Sequence, residues 1–345
     1  MEGEKTHYED IIGGTEEEKE EALKDLQAIF DEKSDKVAPY ELEKTAEDLE
    51  IIEATDIIVN KILRKYGGKP KSLPLDHIYI VKPGDVLKIT KGKLDMGIHM
   101  PIDLKIVVEK EKSKLLFAST VAHELFHLKS YKSARIWKSG EDTHLYRSGL
   151  SMIGQKDKNQ ESGKGKDYFG MLEEAIVAEC TKKFLDETSE NDLFKEEQEA
   201  IAKFKEWVMA YYRSTGVSEE NIKVFDEELK YISNPQKRVQ EVMASSEDEK
   251  YRQAYAAGMF RRLDEGGKTE GMERYKERKM LYNLMDKIIT KSDGKFKDRE
   301  QIFTEFAKAN FSGKYLPLAR TIERILGKGS FREIAEEFSN EPRKE

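Results

Sequence analysis

The residues of this chain best placed for chemistry are His123, Glu124 and His127, within Val-Ala-His-Glu-Leu-Phe-His-Leu-Lys at 121–129. On an α-helix, residues four apart share one face, one turn along the axis. Two neutral imidazoles so placed can each give a ring nitrogen to one zinc ion. Glu124, about 100° round the helix from His123, can reach water held at that ion. Three residues thus specify two metal ligands and a general base.

The element that must carry them is a helix with a buried stripe, and Leu115, Ala118, Val121, Ala122, Leu125 and Leu128 recur at the three- and four-residue steps such a stripe needs. A catalytic zinc takes three protein ligands and keeps one position open. The three-histidine metzincin extension is excluded, because Leu-Lys-Ser-Tyr-Lys-Ser-Ala-Arg follows His127 at 128–135. The downstream candidates for a third ligand are Glu141, Asp142, His144, Glu173, Glu174 and Glu179. Of these, the glutamates lie in or beside Met-Leu-Glu-Glu-Ala-Ile-Val-Ala-Glu at 171–179, a stretch with helical texture. A carboxylate on a second helix packed against the first completes a His₂Glu site.

These two stretches resemble the gluzincin group of zinc metallopeptidases, whose first signature is His-Glu-x-x-His and whose second reads approximately Asn-Glu-Ala or Asn-Glu-Gly. The resemblance covers residues 77–186. It implies that Glu174, directly before Ala175, is the third ligand, with Glu173 where the family often has Asn. It also implies a zincin-like core, Zn²⁺ as cofactor and a peptide or protein as substrate. The family's acidic residue four positions after the ligand falls on Ala178 here, and Glu179 is one step further, about 140° round the helix from Glu174. His144 is the alternative third ligand. An oxyanion donor is expected in the connection between the ligand-bearing helices, where Tyr146 and His144 lead over Arg147, Tyr168 and Tyr131.

Among 345 residues, 68 acids outnumber 60 bases, which argues against a nucleic-acid partner. No segment has the length and apolarity of a membrane span. The first residues form neither a basic leader nor an apolar core, and Cys180 is the single cysteine, so a reducing, cytoplasmic location is expected. Cys180 sits in an apolar helical run and reads as a buried side chain. The acidic block at 16–21 reads as a solvated helix face.

The expected fold is α+β and mostly α, in three parts: a helical N-terminal region over 1–70, the zincin-like core over 71–190 and an all-helical region over 191–345. Helices are expected at 16–30, 39–66 and 168–185. C-terminal helices follow at 200–212, 219–231, 251–263, 280–289, 317–326 and 331–338. Short strands are expected at 77–81, 86–90, 97–100 and 104–108, joined by hairpin-like turns at Pro83-Gly84 and 91–93. The stretch 97–102 is the candidate edge for pairing with an extended peptide. Residues 129–166 read as a long polar connection. A different class of function uses the same fold: a catalytically inactive interaction protein with structural zinc or none.

Overall fold

The computed structural model describes residues 8–31, 36–71, 74–91, 97–100, 104–111, 113–136, 143–153, 167–199 and 274–339, with single positions at 202, 206, 210 and 213. The fold is α+β and mostly helical. In chain order the principal elements are β1 (Asp10–Ile12), α1 (Glu16–Asp31), α2 (Ala46–Lys65), β2 (Ile78–Val81), α3 (Asp85–Ile89), β3 (Gly97–Met100), β4 (Lys105–Glu109) and α4 (Lys114–Lys129). They continue with β5 (Lys132–Ile136), β6 (Thr143–Ser148), β7 (Ser151–Ile153), β8 (Asp167–Tyr168) and α5 (Gly170–Thr188). The C-terminal helices are α6 (Tyr275–Lys291), α7 (Arg299–Ser312), α8 (Tyr315–Leu326) and α9 (Ser330–Glu337). Among the described residues no helix is long and apolar enough to cross a membrane.

The hub is α4, packed against α2, α5, β3 and β4. It starts where Ser113 accepts a hydrogen bond from Leu116 N, and the Glu197 carboxylate accepts three more, from Ser113 Oγ, Lys114 N and Leu115 N, at 2.7 to 2.9 Å. A carboxylate from beyond α5 therefore satisfies the orphan N–H groups of the helix that carries the histidines. At the other end, Ser130 Oγ donates to Phe126 O, Lys132 Nζ donates to His127 O, and the buried Lys129 ammonium reaches Asp56 and Asn60 on α2. Both ends of α4 are thus fixed by side chains from other elements.

β3, β4 and β2 form one sheet in the order β2-β4-β3, with β2 parallel and β3 antiparallel to β4. Its two faces are distinct. Tyr79, Val81, Val107, Ile98 and Met100 pack together with Val37 and Val86 on the far side, while Ile80, Ile106 and Val108 join the main core under α4. By the period of a strand, Gly97 and His99 share the α4 side. That core runs from Tyr8 to Phe338 through Leu26, Ile62, Leu125, Ile176 and Phe303, so it draws residues from all three expected parts of the chain.

Several local expectations are corrected. Residues 86–89 belong to the short helix α3, with Thr90 as its C-cap, because Gly84 turns the chain at φ +85 and Glu109 Oε1 accepts from Gly84 N and Val86 N, closing a helical turn. The strand on either side is therefore not a hairpin: β2 and β4 are parallel, and the chain crosses over between them. α2 begins at Ala46 rather than near Pro39, since Thr45 and Asp48 form a reciprocal capping box at 2.9 and 3.2 Å. The long polar connection after α4 holds β5 to β8, which join β1 in a second sheet of order β1-β5-β6-β7-β8. Its residues 154–166 lie outside the described residues, as do the helices expected at 219–231 and 251–263 and most of 200–212. The acidic turn at the start of α1 is exposed and Cys180 is buried.

The turn between β6 and β7 locks this second sheet to the C-terminal helices. Arg147 Nε donates to Gly149 O, and its guanidinium nitrogens donate to Gly313 O and Ala309 O beyond and within α7. Asn310 Oδ1 accepts from Leu150 N while Asn310 Nδ2 donates to Ser130 Oγ at the end of α4. Gly149 has φ +58, and a Cβ there would fall inside Asn310 Oδ1 and come within 3.0 Å of Glu173 Cγ. Gly149→Ala is expected to lower stability by at least about 2 kcal/mol, the left-handed backbone and the overlap acting together. Urea unfolding of the two proteins measures this directly.

Candidate metal centre

α4 and α5 bring His123, His127 and Glu174 together, with one candidate ligand atom from each lying within 4.8 Å of the others. His127 Nε2 is 3.1 Å from His123 Nε2 and 3.5 Å from Glu174 Oε2, and His123 Nε2 is 3.8 Å from the same oxygen. His123 and His127 are buried, whereas the Glu174 side chain keeps 24% of its surface. Glu124 is buried on α4 beside the histidines.

The far nitrogens of both rings are held. Glu173 Oε1 accepts from His127 Nδ1–H at 3.0 Å. Thr181 commits its hydroxyl proton to Val177 O, so its oxygen accepts from His123 Nδ1–H at 3.4 Å. Each bond turns its ring so that Nε2 faces Glu174, the nitrogen from which a bound metal would displace the proton. Glu173 thus holds His127 as an orienting acid would, a place that the family resemblance puts four residues past Glu174, and Glu179 has another partner, the Tyr282 hydroxyl at 2.5 Å. Thr181 lies seven residues beyond Glu174, about 20° away on a regular helix, and that spacing is a signal available in the sequence.

Charge is balanced tightly here. Burial alone lowers the His127 pKa, but Glu173 and Glu174 outweigh it and hold the imidazole well above its ordinary range. Burial raises that of Glu174, yet the nearby His127, Arg274 and His123 hold its carboxyl well below the usual range. Arg274, at the N-cap of α6, sets its Nε 3.1 Å from Glu174 Oε2 from a left-handed backbone at φ +49. Glu174 Oε2 is nevertheless buried without a hydrogen bond of good geometry among the described residues. A buried carboxylate oxygen left so, facing two imidazole nitrogens, fits a cation.

The remaining candidates are placed elsewhere. Tyr146 lies beside Arg135, whose guanidinium is 5.4 Å from its ring centroid. The backbone of His144 pairs with Arg135 in β6, its side chain lying outside the described residues with Glu141 and Asp142. Arg147 is committed to backbone carbonyls, and Tyr131 packs against Arg147 and beneath Gly313. Sequence reasoning passed over Arg274, which is 100 residues beyond Glu174 and carries no motif.

Behind His127 sits Lys132, fully buried, with Nζ donating to His127 O and Ser148 Oγ at 2.9 Å. Burial pushes its pKa down to about 7. The unfolded chain then binds more protons than the folded one between that value and the ordinary lysine pKa, so stability rises with pH across roughly 7 to 10, by up to about 1.4 kcal/mol per pH unit. Lys132→Met is expected to remove this slope, measured by urea unfolding at a series of pH values. Glu173→Gln is expected to weaken metal binding about 10- to 100-fold by loosening His127, measured by competition with a chelator of known affinity.

Compared with known protein families, curated proteins and solved structures, the chain has no match.

Proposed function

We propose that this protein is a zinc-dependent peptidase with His123, His127 and Glu174 as metal ligands and Glu124 as general base. One observation carries the reading: the buried Glu174 Oε2 faces two imidazole Nε2 atoms whose other nitrogens are already held by Glu173 and Thr181. Two neutral nitrogens and one carboxylate oxygen on paired helices match the His₂Glu donor set of hydrolytic zinc sites. When bound, zinc supplies an electrophile that polarises a carbonyl and makes water acidic near neutral pH.

The chain's own groups do the rest. Glu124 takes the proton from the attacking water and passes it to the leaving amine. Its carboxylate lies against Gly97 of β3, where a Cβ would stand only 2.9 Å from Glu124 Oε1 and from Thr120 Cγ2. The strand therefore passes directly over the base. Among the described residues β3 is the edge of its sheet, the place where an extended peptide would add as a further strand. A peptide seated there lies alongside Glu124. The zincin-like character of the core is part of the same proposal.

Glu124→Gln should keep zinc and lose turnover by about 10²- to 10⁴-fold, the usual worth of a general base. The assay is cleavage of a peptide library by wild type, with chelator and after zinc is restored. Chelator-sensitive cleavage, absent in Glu124→Gln, is the expected result; turnover undiminished in the variant would remove Glu124 from the mechanism.

A further inference from the structure

The peptidase reading leaves one polar group beside the site without a role, the imidazole of His99. It follows Gly97 by two residues on β3 and so faces α4 from the same side of the strand. Its ring is parallel to that of His127, within 2°, with centroids 6.0 Å apart. His99 Nε2 is buried and has no hydrogen-bond partner among the described residues. Such a nitrogen is uncommon in a folded protein and calls for a partner.

A neutral imidazole carries one donor and one acceptor nitrogen, and its N–H is suited to bond an amide carbonyl.

Resting on the peptidase reading, we propose that His99 is a substrate-positioning residue, its Nε2–H donating to a backbone carbonyl of the extended peptide laid along β3. Gly97 and His99 then act as a pair: Gly97 lets the strand close over Glu124, and His99 fixes the register of the incoming chain against it.

The test uses zinc-loaded Glu124→Gln protein, which retains peptide, and a fluorescent peptide chosen from sequences cleaved by wild type. In that background His99→Gln keeps an N–H donor at nearly the same reach, whereas His99→Leu keeps bulk and loses the donor. Anisotropy titration should show about tenfold weaker binding for His99→Leu and less than about threefold for His99→Gln, the scale of one hydrogen bond. Zinc content and melting temperature should match the parent in both. Equal affinity for all three proteins overturns the proposal, as does equal weakening by both variants, which would assign His99 to packing. Cleavage by wild type together with unchanged peptide binding in His99→Leu sinks this inference alone. A wild type that cleaves no peptide sinks the peptidase reading and this inference with it.

Discussion

The hydrogen bond between Glu173 and His127 is the contact on which the site depends. It joins the two helices that supply the candidate ligands, fixes the tautomer of one imidazole and gives the buried acid a partner. Two adjacent carboxylates beside two imidazoles would otherwise carry a large desolvation cost. The ion pair of Glu174 with Arg274 and the hydrogen bond from His123 to Thr181 complete the balance. Charge and hydrogen bonding thus surround one carboxylate oxygen, Glu174 Oε2, which Arg274 meets as an ion pair.

The scaffold serves that arrangement by immobilising α4. Glu197 closes its N-terminus; Lys129, Lys132 and Asn310 hold its C-terminal turn. The same Asn310 and the Arg147 guanidinium clamp the turn at Gly149, whose backbone packs against Glu173. The C-terminal helices therefore reach the site through the second sheet and, at Arg274, directly. Such support from several elements is how a buried polar site is held at one fixed geometry.

Much of this was legible in the sequence because it rests on periodicity. The buried stripe of α4, the spacing of His123 and His127 and the placement of Glu174 on a partner helix all follow from 3.6 residues per turn. What could not be read depends on long-range contacts. Glu197 capping α4 and Arg274 meeting Glu174 link residues 80 to 100 positions apart with no pattern between them. Val86 to Ile89 has strand-like composition, and in α3 the turn at Gly84 with the Glu109 cap overrides that preference. The strands β5 to β8 were hidden in polar sequence because their stability comes from pairing and from buried Lys132 and Arg147, charged residues that propensity assigns to the surface. Glu173 escapes the family pattern for a smaller reason: the acid that bonds His127 precedes Glu174 instead of following it.

The central claim is that His123, His127 and Glu174 hold one zinc ion. It is tested most directly by elemental analysis of metal per chain, in wild type and in Glu174→Ala purified side by side without chelator. The account predicts close to one zinc per chain in wild type and a marked loss in the variant. Equal zinc in both proteins would move the third ligand elsewhere, and a wild type that takes up no zinc even when supplied with it would contradict the account altogether.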